Sequence, residues 1–437
     1  MKFILNRTKG TKIVNYKINQ GILVATTFSE NINFEKIYYY LLLTFAFTLP
    51  LSRATNNLFI GILILLFVVQ GEYKKQFFIL KKSNLAITII LFILFTVFSL
   101  LWTGNLYVGL DGKLLYLYWL AIFPIALNVK VNKIFSIISA FILGMIVSEI
   151  LSYGMFFEFW TINNHGKEYP SPFMMHIDYS IFLAVTALIL LNRLLSFRYS
   201  IQEKLVLLFF FITISGNLFI NDGRTGQVSF IVGIFATVFL HYKFNFKSIL
   251  TAILLITVIF TAAYQFSEKF QIRVAAAKSD IINITKGNLS TSLGVRLATY
   301  SVATDIFIEN PLIGVGVGDF TDAASDALYK NNHGFEDEII NFIPKYHFHS
   351  QYLNVLVQGG IIGLFLLISI FYQFIKLRIL EPELKELSLL IGIVFLIGFI
   401  PEPLLMKQFT NTLFIFFAGL FLGASLSNSK LTKKDSI

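Results

Sequence analysis

The sequence predicts an all-α integral membrane protein with about twelve transmembrane helices and one large loop containing amphipathic helices. Composition is the first observation: 56% of the 437 residues are hydrophobic and only 14% are charged, against roughly 25% charged residues in soluble domains. The second is a mean hydropathy of +0.73, carried by long apolar runs, which are typical of helical spans. The third is a mixed-charge stretch, residues 267–350, that interrupts these runs.

Twelve apolar runs define the predicted spans. They cover residues 38–51, 56–71, 85–102, 113–128, 134–157, 175–195, 203–220, 224–242, 247–266, 352–375, 386–405 and 408–426. These runs divide the chain into five regions. The regions are a cytoplasmic N-terminal segment (1–37), spans one to nine (38–266), the large loop (267–350), spans ten to twelve (351–426) and a cytoplasmic tail (427–437).

The distribution of Lys and Arg predicts the orientation, because basic residues favour the cytoplasmic side. With the N-terminus inside, the inner connections and termini hold 23 of the 35 basic residues, and the short outer connections hold five. Both termini are therefore expected inside and residues 267–350 outside. The first 37 residues lack the apolar core and cleavage site of a cleaved signal peptide.

Charge and cysteine content exclude several classes of function. The net charge is +10, but the basic residues lie mostly in short connections between spans, which argues against nucleic acid as a partner. The chain has no cysteine, which excludes disulfides, a thiolate nucleophile and a cysteine-based metal site.

Within the large loop, helical spacing of Val295, Ala298, Val302 and Ile306 predicts an amphipathic helix that ends at Asn310-Pro311. The glycine-rich turn GVGVGDF follows at 314–320. It could cradle a phosphate, but no strand precedes it and no Lys-Ser/Thr follows it. Tight packing of the loop on the membrane domain is the favoured interpretation of this turn.

Histidines end the loop: His347 and His349 lie immediately before the next apolar run. Histidine can accept and release a proton near neutral pH, so His349 is a candidate general base. The alternatives are an interfacial histidine that is simply hydrogen-bonded, or a metal pair with His347. No carboxylate or further histidine in the sequence supports the metal pair, and no metal is expected.

Two arginines are candidate anion ligands. Arg224 lies in the short turn NDGRTGQ at the start of a span, where backbone N–H groups and the helix dipole favour an anion. Its alternative is a topological arginine that snorkels or pairs with Asp222. Arg296 begins the amphipathic helix and alone would be an ordinary surface arginine.

Together, these segments resemble the O-antigen ligase and polymerase superfamily. The resemblance rests on NDGRTGQVSF, RLATYSVATDIFIENPLIGVGVGDF and HSQYLNVLVQGGIIGLFLL, in this order over about 222–365. It implies an inverting, metal-independent and cofactor-free glycosyltransferase of the bacterial inner membrane, with a periplasmic active site. The donor would be a glycan on undecaprenyl pyrophosphate and the acceptor a sugar hydroxyl of lipid A–core, with membrane lipids around the protein.

The family's essential histidine and two arginines correspond by motif to His349, Arg296 and Arg224. His347, Tyr352 and Asp222 are expected to support them. Ser350 departs from the pattern, because asparagine is usual after this histidine, and this puts the local hydrogen bonding in doubt.

Three alternatives to a ligase remain open. One is an O-antigen polymerase with the same donor, and another is a protein O-oligosaccharyltransferase, which the short basic tail disfavours. A third is a non-enzymatic lipid-glycan transporter. Only Glu149 is predicted as an ionisable residue in mid-span, which weakens energy-coupled transport.

Overall fold

A computed structural model describes residues 33–163, 165–243 and 245–431, and within these ranges the regular structure is helical. The eighteen α-helices of the described residues are, in chain order, α1 (Phe34–Thr48), α2 (Arg53–Gln70), α3 (Tyr73–Leu80), α4 (Asn84–Phe98), α5 (Leu106–Leu117), α6 (Ile122–Asn128), α7 (Val131–Phe156), α8 (His176–Leu195), α9 (Ile201–Ile220), α10 (Arg224–Tyr242), α11 (Phe246–Phe266), α12 (Glu268–Thr285), α13 (Ser292–Glu309), α14 (Phe320–Lys330), α15 (Asp337–Phe342), α16 (Gln351–Ile375), α17 (Pro382–Gly398) and α18 (Gln408–Leu431). The predicted all-α class is thus confirmed for the described part of the chain.

Nine of the described helices are long and apolar enough to cross a membrane. Their candidate spans are Arg53–Gln70, Asn84–Leu101, Val131–Phe156, His176–Leu195, Ile201–Ile220, Arg224–Tyr242, Phe246–Phe266, Gln351–Ile375 and Gln408–Ser427. The other three predicted spans correspond to shorter elements. Residues 38–51 fall on the 15-residue α1, 386–405 on the 17-residue α17, and 113–128 on a helix broken by a 3-10 turn at Tyr118–Ala121. The count of twelve therefore remains a prediction.

The centre of the membrane region is formed by α8 and α18, whose spans are almost completely buried in the protein. Aromatic rings fill the space around α18. Phe414 contacts Trp119, Phe371 and Phe395, with ring centroids 5.2, 4.9 and 5.3 Å away. Since lipid is as apolar as these side chains, close packing of this kind is what holds membrane helices together.

The large loop folds into helices α12 to α15, and we call residues 267–350 the insert. Helix α13 confirms the predicted amphipathic helix: Ala298, Val302 and Ile306 are buried, and the helix ends at the capping residue Asn310. These side chains form a small apolar core with residues of α14, α15 and the first turns of α16. The insert is therefore packed on the end of a membrane helix.

A break in α16 joins the insert to the membrane region. Gly360 has φ +58° and ψ −160°, a combination that essentially only glycine adopts. At this break the N–H groups of Ile361 and Ile362 donate to the carbonyls of Pro311 and Leu312, at 2.9 and 3.3 Å. In return, Val315 and Gly316 donate to the carbonyls of 357 and 358 at 2.9 and 3.1 Å. The favoured interpretation of GVGVGDF, tight packing of the insert, is confirmed.

Candidate active site

His349 lies in the short link between the insert and α16, in a strained backbone conformation. Its φ is +45°, which is uncommon for a residue other than glycine and is often found at functional sites. Its N–H donates to Nδ1 of His347 at 3.2 Å, and its carbonyl accepts from the Tyr300 hydroxyl at 3.3 Å. The imidazole lies nearly parallel to the Phe342 ring, with centroids 6.0 Å apart. Contacts from the insert thus hold the backbone of His349 and pack Phe342 against its ring.

The loop that follows α17 packs against this link. Gln351 N–H and the Ser350 hydroxyl both donate to the Phe399 carbonyl, at 2.9 and 3.2 Å. Leu405 N–H donates to Oε1 of Gln351 at 2.9 Å. These bonds place Glu402, between Phe399 and Leu405, next to His349. Ser350 therefore has a defined partner despite its departure from the family pattern.

Glu402 is the centre of a buried charge cluster. Its side chain is 2% exposed; Arg296 Nη2 lies 3.1 Å from Oε1 and Lys407 Nζ lies 3.1 Å from Oε2. Nδ1 of His349 is 3.9 Å from Oε1, too far for a hydrogen bond, and this buried nitrogen has no hydrogen-bond partner among the described residues. Burial alone would raise the pKa of Glu402, but neighbouring His349, Lys407 and Arg296 together lower it to about 2. The carboxylate is therefore charged at neutral pH.

Glu402 and Lys407 are the site residues that motif reasoning missed. They lie more than fifty residues after His349 in sequence, beyond α17. One sequence signal could have pointed to Glu402: it lies in the last turn of the predicted span 386–405 rather than in mid-span, and an ionisable side chain within a span is a functional candidate by default. In the structure α17 ends at Gly398, so Glu402 occupies a loop.

The Glu402 carboxylate also bears on whether His347 and His349 could bind a metal ion. One ligand atom each from His347, His349 and Glu402 lie within 4.8 Å of one another, so the sequence-based statement that no carboxylate supports the histidine pair is wrong. However, Arg296 and Lys407 already pair with the two oxygens of Glu402. A divalent cation at this point would lie against two positive side chains. Independence from metal remains a prediction.

Arg224 is the first residue of α10, in a turn held tightly against α8. Gly226 N–H donates to the Ser180 hydroxyl at 3.1 Å, and the Gln227 side chain donates to the carbonyls of 218 and 221. Asp222 pairs with Arg273 of α12, with Nε and Oδ1 3.2 Å apart. Arg224 takes part in no ion pair among the described residues. Asp222 therefore forms its ion pair with Arg273 rather than with Arg224, although its charge also acts on Arg224. Arg273 is a further cation that motif reasoning missed.

The two charge clusters are close enough to interact. The charge of Arg224 acts with those of Arg273, Asp280, Arg296 and Asp222. His176, at the start of α8, lies within electrostatic range of both Asp222 and Glu402. The fold thus brings Arg296 and His349 to one carboxylate, Glu402, and places Arg224 within electrostatic range of Arg296, where the insert meets the membrane helices.

The predicted supporting residues have different positions. Burial, followed by the nearby His349, lowers the pKa of His347 to about 4, so His347 is neutral when it accepts the His349 N–H. Tyr352 points elsewhere: its hydroxyl donates to the Leu396 carbonyl at 2.8 Å and its ring contacts Phe399. Tyr352 therefore ties α16 to α17.

Two concave surfaces adjoin this site. A pocket of about 280 Å³ has both His349 and Arg296 in its wall, together with Ser290, Thr291 and Phe342. An apolar groove of about 480 Å³ runs between α9 and α11 and reaches Ile220 and Ser267. Ser267 begins the insert and Ile220 precedes the Asp222–Arg224 turn, so the groove leads toward the segments that carry Arg273 and Arg224.

Fold and site together define a multi-pass helical membrane protein with a cationic cleft and a histidine at the membrane edge. Comparison with known proteins narrows this class. Residues 208–368 match the family model described as O-antigen ligase, so the resemblance expected from the motifs is confirmed over this segment, which holds Arg224, Arg273, Arg296 and His349. The chain is also 27% identical over 146 residues to an O-antigen ligase of Escherichia coli (strain K12). That match covers 32% of this chain and 33% of the relative, so the chain spans about a third of the length of the curated relative it matches.

Proposed function

We propose that this protein is an O-antigen ligase of the bacterial inner membrane. It transfers a glycan from undecaprenyl pyrophosphate to a sugar hydroxyl of lipid A–core, with inversion, at the periplasmic face. The observation that carries the proposal is that Arg296 and His349 both lie against Glu402 and share one pocket, with Arg224 within electrostatic range of Arg296. Arg224, Arg296 and His349 all belong to the segment that matches the family. Both termini are then cytoplasmic, as the distribution of basic residues predicts.

The arginines bind the leaving pyrophosphate. Guanidinium groups can hold phosphate oxygens with two parallel hydrogen bonds, and they favour the negative charge that builds as the bond from the sugar anomeric carbon to the phosphate oxygen breaks. Arg224 and the partly exposed Arg273 supply cations in the segments toward which the apolar groove leads. The polyprenyl chain lies in that groove, so the pyrophosphate is delivered to the arginines from the membrane.

His349 is the general base. Attack by the acceptor oxygen on the anomeric carbon releases one proton, and a neutral imidazole takes it. A positioned base of this kind contributes about 10²–10⁴-fold to rate. Glu402 faces Nδ1 of His349, so it favours the tautomer with the proton on Nδ1 and leaves Nε2 free to accept. It also stabilises the imidazolium after transfer, while its pairing with Arg296 couples the base to the phosphate ligand.

In vitro transfer tests the proposal. Purified protein is incubated with an undecaprenyl-pyrophosphate glycan and lipid A–core, with and without EDTA, and the product is separated by mass. We expect the glycan on lipid A–core, equal with EDTA. Product only with a second glycan as acceptor would indicate a polymerase, and product only with a protein would indicate an oligosaccharyltransferase. No product, together with movement of the intact donor across a vesicle membrane, would indicate a transporter.

A further inference from the structure

The segment Asn310–Gly316 of the insert lies against the break in α16, and its depth can be estimated from that helix. A helix rises 1.5 Å per residue, so a hydrocarbon core about 30 Å thick takes about 20 residues. Counted back from the end of α16 at Ile375, those residues reach Val355. Gly360 and the hydrogen-bonded Pro311 and Leu312 then lie about 8 Å below the surface of the core.

The span that contains α4 gives a similar depth for the break in α16. The candidate span Asn84–Leu101 has 18 residues, close to the thickness of the core, so Leu101 lies near the membrane surface. The Phe95 ring approaches Gly359 and Gly363 on either side of the break in α16. Phe95 is six residues before Leu101, which corresponds to about 9 Å of depth.

The exposed surface of this segment is apolar. Leu312 is 65% exposed and Ile308, in the last turn of α13, is 68% exposed; Ile313 is also exposed. Leu101, at the end of its span, is 82% exposed and lies two residues before Thr103, whose hydroxyl donates to the Val317 carbonyl. These four residues, Leu101, Ile308, Leu312 and Ile313, form what we call the apolar rim.

Part of the segment's backbone meets the requirement for entering a bilayer. Irregular backbone is tolerated at membrane depth only where its polar groups are satisfied by protein or lie in a water-filled cavity. The break in α16 frees polar groups, and the segment pairs with them: two of its carbonyls accept from Ile361 and Ile362, and two of its N–H groups donate to 357 and 358. Proline at 311 has no N–H to satisfy.

We infer that Asn310–Gly316 is a re-entrant segment, and that the apolar rim contacts the acyl chains of the bilayer leaflet on the side of the insert. The alternative occupants are water, if the segment lies above the membrane, and a second copy of the chain. Two depth estimates and the four backbone hydrogen bonds across the break in α16 favour acyl chains. This inference does not depend on the reaction that the protein performs, nor on which face of the membrane carries the insert.

Fluorescence quenching tests the inference directly, because the chain has no cysteine and a single introduced thiol is a unique attachment site. Leu312→Cys and Ile308→Cys are each labelled with a small environment-sensitive fluorophore. The proteins are reconstituted into phosphatidylethanolamine and phosphatidylglycerol vesicles at high dilution. Quenching by iodide reports water, and quenching by phospholipid with a nitroxide on the upper acyl chain reports lipid contact.

Two matched positions calibrate the measurement. Tyr329→Cys on α14, where the side chain is 94% exposed, gives the value for water, and Phe209→Cys on α9, 60% exposed, gives the value for lipid. We expect both test positions to lose iodide quenching to the level of Phe209→Cys and to show nitroxide quenching equal to it. Iodide quenching at the level of Tyr329→Cys would overturn the inference, and protection from both quenchers would assign the rim to a protein contact instead. Ile308→Cys keeps the test valid if Leu312→Cys fails to fold, because its side chain is exposed.

Discussion

Glu402→Gln isolates the charge at the centre of the site. The substitution keeps the size of the side chain but removes the negative charge that faces Arg296 and Lys407, at 3.1 Å each. The pKa of Glu402 falls from 4.5 to about 2 in the folded protein. At about 1.4 kcal/mol per pKa unit this corresponds to roughly 3 kcal/mol of stability, similar to the ~3–5 kcal/mol lost when one partner of a buried ion pair is removed.

Equilibrium unfolding in detergent micelles measures this loss. A carboxylate whose pKa is lowered by folding contributes stability that is fully present above its unfolded pKa and is lost as pH falls through its folded pKa. The difference between wild type and Glu402→Gln should therefore be constant from pH 8 to pH 5, and should shrink as pH falls from about 4.5 toward 2. The matched control is Glu309→Gln, which removes the exposed ion pair with Lys330 and should change the unfolding free energy by less than about 1 kcal/mol. Equal stability of wild type and Glu402→Gln at pH 7 would show that the charge of Glu402 does not stabilise the fold.

Three further substitutions test other parts of the account. Arg224→Lys keeps the charge but loses the bidentate geometry, so kcat/KM for glycan transfer should fall. The control Arg198→Lys, at the opposite end of the bundle, should keep the wild-type kcat/KM. Equal kcat/KM for the two variants would exclude Arg224 as a bidentate phosphate ligand. Arg273→Gln should raise the KM for the lipid-linked donor with little change in kcat, and an unchanged KM would place this residue outside the donor site. Gly360→Ala should lower the yield of folded protein, because a Cβ would lie 2.4 Å from the Leu312 backbone. Gly61→Ala, with open space around it, is the control. Equal yields of the two variants would contradict the role of the α16 break in packing the insert.

The sequence predicts those features that depend on residues close together along the chain or on a recognisable motif. Apolar runs indicate the membrane helices, the spacing of Ala298, Val302 and Ile306 predicts α13, and the motifs indicate His349, Arg296 and Arg224 as a set. Three spans were harder to define, because α1 and α17 are short and a 3-10 turn interrupts residues 113–128. Hydropathy measures composition along the chain and does not detect such a break.

The charge partners could not be predicted in the same way. Glu402 reaches His349 only because Phe399 and Leu405 are hydrogen-bonded to Ser350 and Gln351, and those contacts depend on how α16 and α17 pack. The pairing of Asp222 with Arg273 likewise depends on where α12 lies on the membrane region. Asp222 and Arg224 are two residues apart in sequence, which favours a local pair, but in the structure the carboxylate pairs with Arg273, 51 residues away in sequence.

The central claim is that His349 accepts the proton of the attacking hydroxyl in a cleft where arginines hold the pyrophosphate. Its most direct test is the rate of glycan transfer to lipid A–core by His349→Ala, at matched amounts of membrane-inserted protein, with His241→Ala as the control histidine. We expect a fall of about 10²–10⁴-fold for His349→Ala, with donor binding retained, and no fall for His241→Ala. Transfer by His349→Ala at the wild-type rate would contradict this role of His349.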